Sequence, residues 1–232
     1  MLKITPPGSK SITNRALVLA ALVRKTVTIK NAAICEDSTY MIKCLKKLGI
    51  RIEQKGETIK IKGCGGKFPK SDRTIKLHTG NAGTTTRFIT ALATLTDNKV
   101  VIDGDSRMRQ RPIKELSDAL NQLGADTKTT KNCPPVKIQP KIPEGGTVKI
   151  RGDLSSQYIS ALMMIAPHTK KPTKIQIEQK TCSKPYIKLT KTMIKSFDQQ
   201  PSSYNVESDA SGASYFGAYA ALNPQKTILL NN

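Results

Sequence analysis

Apolar residues recur along this chain with two periods that alternate in blocks. Ile12, Ala16, Leu19 and Val23 fall at i, i+4, i+7 and i+11, which is one face of a helix. TVTIKNA (Thr26 to Ala32) alternates and is rich in β-branched residues, so it predicts a strand. A second helix is expected from about Ser38 to Leu48, stopped by Gly49 as its C′ glycine. IRIEQKGETIKIKG from Ile50 then reads as a pair of short strands. The same order returns further on: a helix near Thr84–Leu95, a strand at KVVIDG, a helix near Ile113–Leu123 stopped by Gly124, and a strand pair in ADTKTTKNCPPVKIQ from Ala125.

Self-similarity of this kind sets the whole fold. Four stretches share an extended segment, a turn of small polar residues and an Ala/Leu-rich helical run. They are KITPPGSKSITNRALVLAAL from Lys3, IKLHTGNAGTTTRFITALATL from Ile75, VKIRGDLSSQYISALMMIAP from Val148 and YNVESDASGASYFGAYAAL from Tyr204. Lys3, Lys76 and Lys149 align at intervals of 73 residues, and the later helices end alike in CLKKLG, ALNQLG and TMIKSF. Asn205 follows Lys149 by only 56 residues, a shortfall about the length of one strand pair, and the third unit breaks off at FDQQPSS. The expected fold is therefore α/β (α+β), built from repeated βαβαββ units around a pseudo-threefold axis with helices sharing the core. The third unit should lack its hairpin. In the fourth, Ala210–Leu222 should be a helix whose Ala213, Phe216, Ala220 and Leu222 have nothing to pack against, and ILL at Ile228–Leu230 a strand without neighbours.

Length allows one large domain, or a domain plus part of another, in 232 residues. With no Trp and 4 % aromatic residues, Ala, Leu, Ile and Val must do most of the packing. No apolar run has the length of a membrane span and no signal-peptide pattern opens the chain, so a soluble, cytoplasmic protein is expected. Cys35, Cys44, Cys64, Cys133 and Cys182 form no CxxC pair, which predicts reduced thiols; with only His78 and His168 beside them a zinc site is disfavoured. The net charge of +21 is the global extreme. It fits an anionic ligand, small molecule or nucleic acid, and its spread over the whole chain does not decide between them.

The turns carry the chemistry. Each repeat offers a helix N-terminus preceded by Gly, Ser, Asn or Asp, where free N–H groups and the helix dipole favour anions. PGSKSITNR places Lys10, Ser11 and Arg15 at one such start: an ammonium, a hydroxyl and a planar guanidinium fork, suited to phosphate or carboxylate. As a lone motif this is equally a Ser N-cap with incidental basic neighbours. TGNAGTTTR (Thr79 to Arg87) has two glycines that allow close backbone approach, or is an ordinary strand-to-helix turn. DSRMRQRPI (Asp105 to Ile113) packs three arginines before Pro112, read as an N1 proline; such arginines face either solvent or an anion. GDLSSQY from Gly152 and SKPYI from Ser183 add hydroxyls, an amide and a phenol.

In order, PGSKSxxNRAL, GNAGTTxR, RMxxRPI, SSQY, SKPYI and ESDASxASY resemble the 5-enolpyruvylshikimate-3-phosphate (EPSP) synthase family over about residues 3 to 222. GNAGTTTRF with its Phe88, SSQY and ESDAS are most similar to the version inside fungal pentafunctional AROM proteins. The resemblance implies an enolpyruvyl transferase-like fold and transfer of enolpyruvyl from phosphoenolpyruvate to shikimate 3-phosphate in aromatic amino-acid biosynthesis, with no metal or organic cofactor. It implies that Lys10 contacts both substrates and is the catalytic candidate. Ser11, Arg15, Ser155, Ser156, Gln157, Ser183 and Tyr186 would hold shikimate 3-phosphate; Asn81, Gly83 and Arg111 would bind phosphoenolpyruvate. Arg87 reads as structural and Asp209 as a crossover residue, so both stay outside the set. A sister family that uses UDP-N-acetylglucosamine typically has a Cys in the loop before its Arg-Pro; DSRMRQ has none.

By the same resemblance, residues 3–203 form the shikimate 3-phosphate domain and 204–232 an incomplete start of a second domain. A C-terminal half would then be the missing partner, bearing a proton-transfer Asp, a Lys-Glu pair and further arginines. The chain reads as a fragment, with little or no turnover alone. Two alternatives remain at this point: an RNA 3′-phosphate cyclase-like protein, against which stand the few aromatics and the lack of a nucleotide-transfer His in motif context, and a non-catalytic remnant.

Overall fold

The computed structural model describes residues 2–231. The first unit runs β1 (Leu2–Ile4), α1 (Lys10–Leu22), β2 (Thr26–Lys30), α2 (Glu36–Lys47), β3 (Arg51–Lys55) and β4 (Thr58–Lys62). The second runs β5 (Ile75–His78), α3 (Gly83–Ala93), β6 (Val100–Asp103), α4 (Lys114–Gln122), β7 (Thr127–Thr130) and β8 (Cys133–Ile138). The third has only β9 (Gly146–Arg151), α5 (Ser156–Ile165), β10 (Thr173–Glu178) and α6 (Lys184–Asp198). After them come β11 (Ser203–Asn205), α7 (Ala210–Leu222) and β12 (Ile228–Leu230). Gly49 and Gly124 end α2 and α4 at φ +92° and +95°, the left-handed region where a Cβ is penalised. Pro112 is not an N1 residue: Ile113 is the N-cap of α4, so the proline sits one residue outside the helix.

The sheets show what repeats and what does not. The second unit closes as β5-β6-β8-β7, with β5 parallel to β6 and β8 antiparallel to it. The first unit has the same order, β11-β2-β4-β3, but its outer parallel strand is β11 and not β1. β1 pairs instead with β12, Leu2 beside Ile228, so ILL does have a neighbour, contrary to the sequence expectation. The two segments cross side by side: Ser9 N–H donates to the Glu207 carbonyl (2.8 Å) and Asp209 N–H to that of Pro7 (2.8 Å). Repetition reveals which segments are alike; it says nothing of which sheet a three-residue strand joins. The third unit's sheet is β10-β9 alone.

The core lies among the helices. α1 packs on α3, α3 on α5, and α6 on both α1 and α5, with β2 and β4 behind α1, β6 behind α3 and β10 behind α5. Periodicity understates α1, which is buried on nearly every side, Thr13, Asn14 and Arg15 included. α3 and α5 are almost as enclosed, which matches helices meeting about a common axis. α7 is the exception, with no buried residue.

Candidate functional site

The N-terminal ends of α1, α3, α5 and α6 converge on one open cavity of about 900 Å³. Each end is built differently. α1 starts after Ser9, whose side chain makes no cap bond, so the first N–H groups of the helix stay unpaired by it. Gly8 brings the chain in: a Cβ there would lie 1.8 Å from the Asn31 carbonyl oxygen, and no other residue fits. α3 follows Ala82, also without a side-chain cap. At α5, Ser155 accepts from the Gln157 N–H at 3.2 Å. Ser183, at the head of α6, is held at φ +51°, a left-handed backbone uncommon for a non-glycine residue and typical of sites where function sets the geometry.

Lys10, Ser11, Arg15, Arg111, Ser155, Ser156, Gln157, Ser183 and Tyr186 all line this cavity. Asn81 and Gly83 stand behind it. The Asn81 carbonyl accepts from Arg111 Nη1 at 3.2 Å, and its Oδ1 is buried without a partner. A Cβ on Gly83 would come within 2.6 Å of Arg87 Nη1 and 2.7 Å of Arg111 Nη2, so the bare glycine is what lets both guanidinium groups lie against this turn. Sequence reasoning left out Thr84, Arg87 and Asp209, which also line the cavity. Arg87 was detectable: it is four residues after Gly83 and thus on the same helix face. Asp209 instead caps α7, accepting from Ser211 N–H at 3.2 Å.

Arg15 is 2 % exposed and, among the described residues, has no carboxylate paired with it. Its Nε donates to Thr190 Oγ1 (2.7 Å), Nη1 to the Ser11 carbonyl (2.9 Å) and Nη2 to Ser160 Oγ (3.2 Å). Its guanidinium carbon lies 5.2 Å from the centre of the Phe88 ring and 5.6 Å from that of Tyr186. Burial lowers its pKa to about 10, with the Tyr186 phenol opposing the shift. Arg87 is lowered too, chiefly by burial, with the Arg111 charge adding to it and Tyr158 opposing. Arg87 Nη1 donates to Gln157 Oε1 (2.8 Å) and Gln157 Nε2 to Thr84 Oγ1 (3.1 Å), tying α3 to α5, while Arg87 Nε is buried without a partner. Lys10 reaches only Asp37, at 3.5 Å, and is half exposed. Of the three arginines read from DSRMRQRPI, Arg109 is spent on Asp103 (2.6 Å) and Arg111 turns to the cavity. Glu115, Asp118 and Asp209 also line the cavity, but the desolvated cations, unpaired donors and helix dipoles at its helix ends favour an anion with several oxygens.

The model of the EPSP synthase (3-phosphoshikimate 1-carboxyvinyltransferase) family matches residues 2–200. The 3-phosphoshikimate 1-carboxyvinyltransferase of Haemophilus influenzae is 40 % identical over 245 residues, covering 94 % of this chain and 56 % of that protein. The chloroplastic 3-phosphoshikimate 1-carboxyvinyltransferase 1 of Nicotiana tabacum is 41 % identical over 247 residues, covering 93 % and 48 %. The chain thus spans about half the length of the curated relatives it matches. A solved EPSP synthase from Acinetobacter baumannii superposes with a TM-score of 0.70 at 24 % identity, over 80 % of this chain and 42 % of that one, which establishes the fold. By its sequence and its architecture, the chain belongs to the EPSP synthase family.

Proposed function

We propose that this chain holds shikimate 3-phosphate, and presents one side of a phosphoenolpyruvate site, for transfer of the enolpyruvyl group by addition–elimination. Residues 3–203 would form the shikimate 3-phosphate domain and the segment after them would lead into a second. The observation that carries this reading is Arg15, buried without a counter-ion where four helix N-termini meet. Ser155, Ser156 and Ser183 are hydroxyl donors at the heads of α5 and α6, suited to the 3-phosphate. Ser11, Arg15, Gln157 and Tyr186 would hold the ring, and Arg111, fixed by Asn81 and Gly83, the second anion. Lys10, half exposed on a long flexible side chain, would reach both. Two anions brought together repel each other, and fixed cations and dipoles offset that repulsion without reorganising. The free cysteines fit a reducing compartment, and we place the chain in the cytoplasm, although the tobacco relative is chloroplastic by name. No described helix is long and apolar enough to cross a membrane. The RNA 3′-phosphate cyclase alternative gains no support from these relatives.

Catalysis would need groups that the relatives carry beyond the matched half. The 232-residue chain should therefore bind shikimate 3-phosphate in a calorimeter and release almost no phosphate from phosphoenolpyruvate. Turnover within the ordinary enzyme range of ~1–10³ s⁻¹, or no heat of binding, would overturn the reading.

Gly83→Ala separates the two anion sites. Its Cβ must displace the tips of Arg87 and Arg111, which are flexible side chains, so the fold should hold. With shikimate 3-phosphate saturating, phosphoenolpyruvate affinity should fall about tenfold or more, or ~1.4 kcal/mol, while shikimate 3-phosphate affinity stays within a factor of about three. Equal losses for both ligands would contradict the assignment of Gly83 to the phosphoenolpyruvate side.

A further inference from the structure

β10 stands in the third unit where β2 and β6 stand in the first two. Each of those strands has a parallel neighbour on one side and an antiparallel hairpin strand, β4 or β8, on the other. β10 has parallel β9 on one side and, among the described residues, no strand on the other. The phase of the ladder follows from its ends: Gly146 N–H donates to the Pro172 carbonyl (3.1 Å) and Gly152 N–H to that of Glu178 (2.8 Å). Backbone groups of Lys174, Gln176 and Glu178 therefore face β9, while those of Ile175 and Ile177 face outward along the open edge. A six-residue edge of this kind is a template for another strand.

We infer that the open edge of β10 pairs with the β10 edge of a second copy of this chain, antiparallel about a twofold axis at Gln176. The register follows from chemistry. Outward-facing residues must oppose one another, so the axis passes at Lys174, Ile175, Gln176 or Ile177, and at Lys174 it sets two like charges face to face. At Gln176 it sets Lys174 opposite Glu178 twice, Ile175 opposite Ile177 twice, and Gln176 opposite itself. At Ile175 it opposes Lys174 to Gln176, and at Ile177 it opposes Gln176 to Glu178, with no ion pair in either case. The strand is self-complementary in one register only. In that register the Lys–Glu pairs occupy non-hydrogen-bonded positions, where cross-strand side chains lie closest.

The surroundings agree. Lys174 has no carboxylate partner among the described residues, and Glu178 meets Lys149 only at 4.0 Å. Ile175 packs on the core while Ile177 is 41 % exposed, and pairing would cover it. The product is a sheet ordered β9-β10-β10-β9, four strands like β5-β6-β8-β7, with the second copy's β10 in the place of β8. A closed, twofold interface stops at two copies instead of growing. Each copy carries +21, so repulsion opposes the pairing and added salt should strengthen it.

Sedimentation equilibrium tests this on the 232-residue chain. A dimer that dissociates on dilution and tightens from low to moderate salt is expected. Ile177→Pro removes one outward N–H while leaving the ladder to β9 intact, and should give a monomer. Lys174→Glu opposes like charges twice and should also give a monomer; adding Glu178→Lys to it restores both ion pairs and should restore the dimer. A folding defect cannot be repaired by that second change, so failure to recover overturns the inference. So does a monomer at every concentration of the unaltered chain, or a dimer that survives Ile177→Pro and Lys174→Glu, which would place the contact elsewhere, such as the uncovered face of α7.

Discussion

Arg15→Met should leave the chain more stable than before and sharply weaken its affinity for shikimate 3-phosphate. The two effects share one cause. A cation whose pKa falls on folding is penalised by the fold, and burial lowers that of Arg15 to about 10. The sign is fixed by linkage. The penalty is fully present below a pH of about 10, and stability would rise as pH climbs above that value, where the unfolded chain still binds the proton and the folded one releases it. Methionine fills much of the same space without the charge. The hydroxyls left behind are not stranded, since Thr190 Oγ1 and Ser160 Oγ already lie 2.9 Å apart and Thr190 also reaches the Tyr186 carbonyl (2.8 Å). Replacing buried ionic groups by apolar ones of similar volume commonly stabilises by about 1–4 kcal/mol; in a domain of this size each kcal/mol raises Tm by about 2–4 °C. Affinity for shikimate 3-phosphate should fall by about a hundredfold or more, since a desolvated charge pair is worth roughly 2–5 kcal/mol. Arg15→Lys is the control. It keeps the charge, loses the planar fork and both hydroxyl contacts, and should lose binding without gaining stability. A drop in Tm for Arg15→Met, with binding retained, would show that the residue is a structural strut between α1, α5 and α6 and no ligand.

Much of this was legible in the chain because local chemistry and global packing agree. The 3.6-residue period located α1 through Ile12, Ala16, Leu19 and Val23, all buried, and the spacing of Lys3, Lys76 and Lys149 foretold the short third unit. The misses share a physical origin. Asn14 and Arg15 break the apolar pattern, yet both lie at the centre, because α1 is enclosed on all sides and a polar residue there carries no signal of its burial. β1 and β11 exchange places because each is only three residues long, so its own sequence holds too little to choose a partner. The turn motifs named the groups around the cavity; Arg87 was within reach by its spacing to Gly83, but its link across α3 and α5 to Gln157 was not.

The exchange of β1 and β11 moves the expected break in protection along the chain. Hydrogen exchange should find α1 and α7 at opposite extremes although both are helices of 13 residues from the same repeat. In α1 the buried residues run from Ile12 to Leu22, so its amides open only with the whole fold, typically at about 5–15 kcal/mol. In α7 none is buried, Tyr215 and Leu222 are 79 % and 83 % exposed, and its N-cap Asp209 is the main local support. A helix of that length with little beyond the three-residue β12 against it is marginal in water, so its amides should be protected by no more than ~1–2 kcal/mol. The rate difference is then about a hundredfold or greater. The change should not fall at residue 203, where repeat spacing alone would put it. Val206 is fully buried, its N–H donates to the Lys30 carbonyl (3.0 Å), and β11 is laddered to β2. Asp209 N–H still donates to the Pro7 carbonyl, so slow exchange should persist to the crossover and give way inside the first turn of α7. β12 should be intermediate, since among the described residues its only strand neighbour is the equally short β1. If α7 instead proves as slow as α1 in dilute solution, something covers its apolar residues, and if that slowing vanishes with Ile177→Pro the cover is a consequence of pairing through β10. Slow exchange that persists in that variant would mean that α7 folds onto this same chain, against the exposure found here.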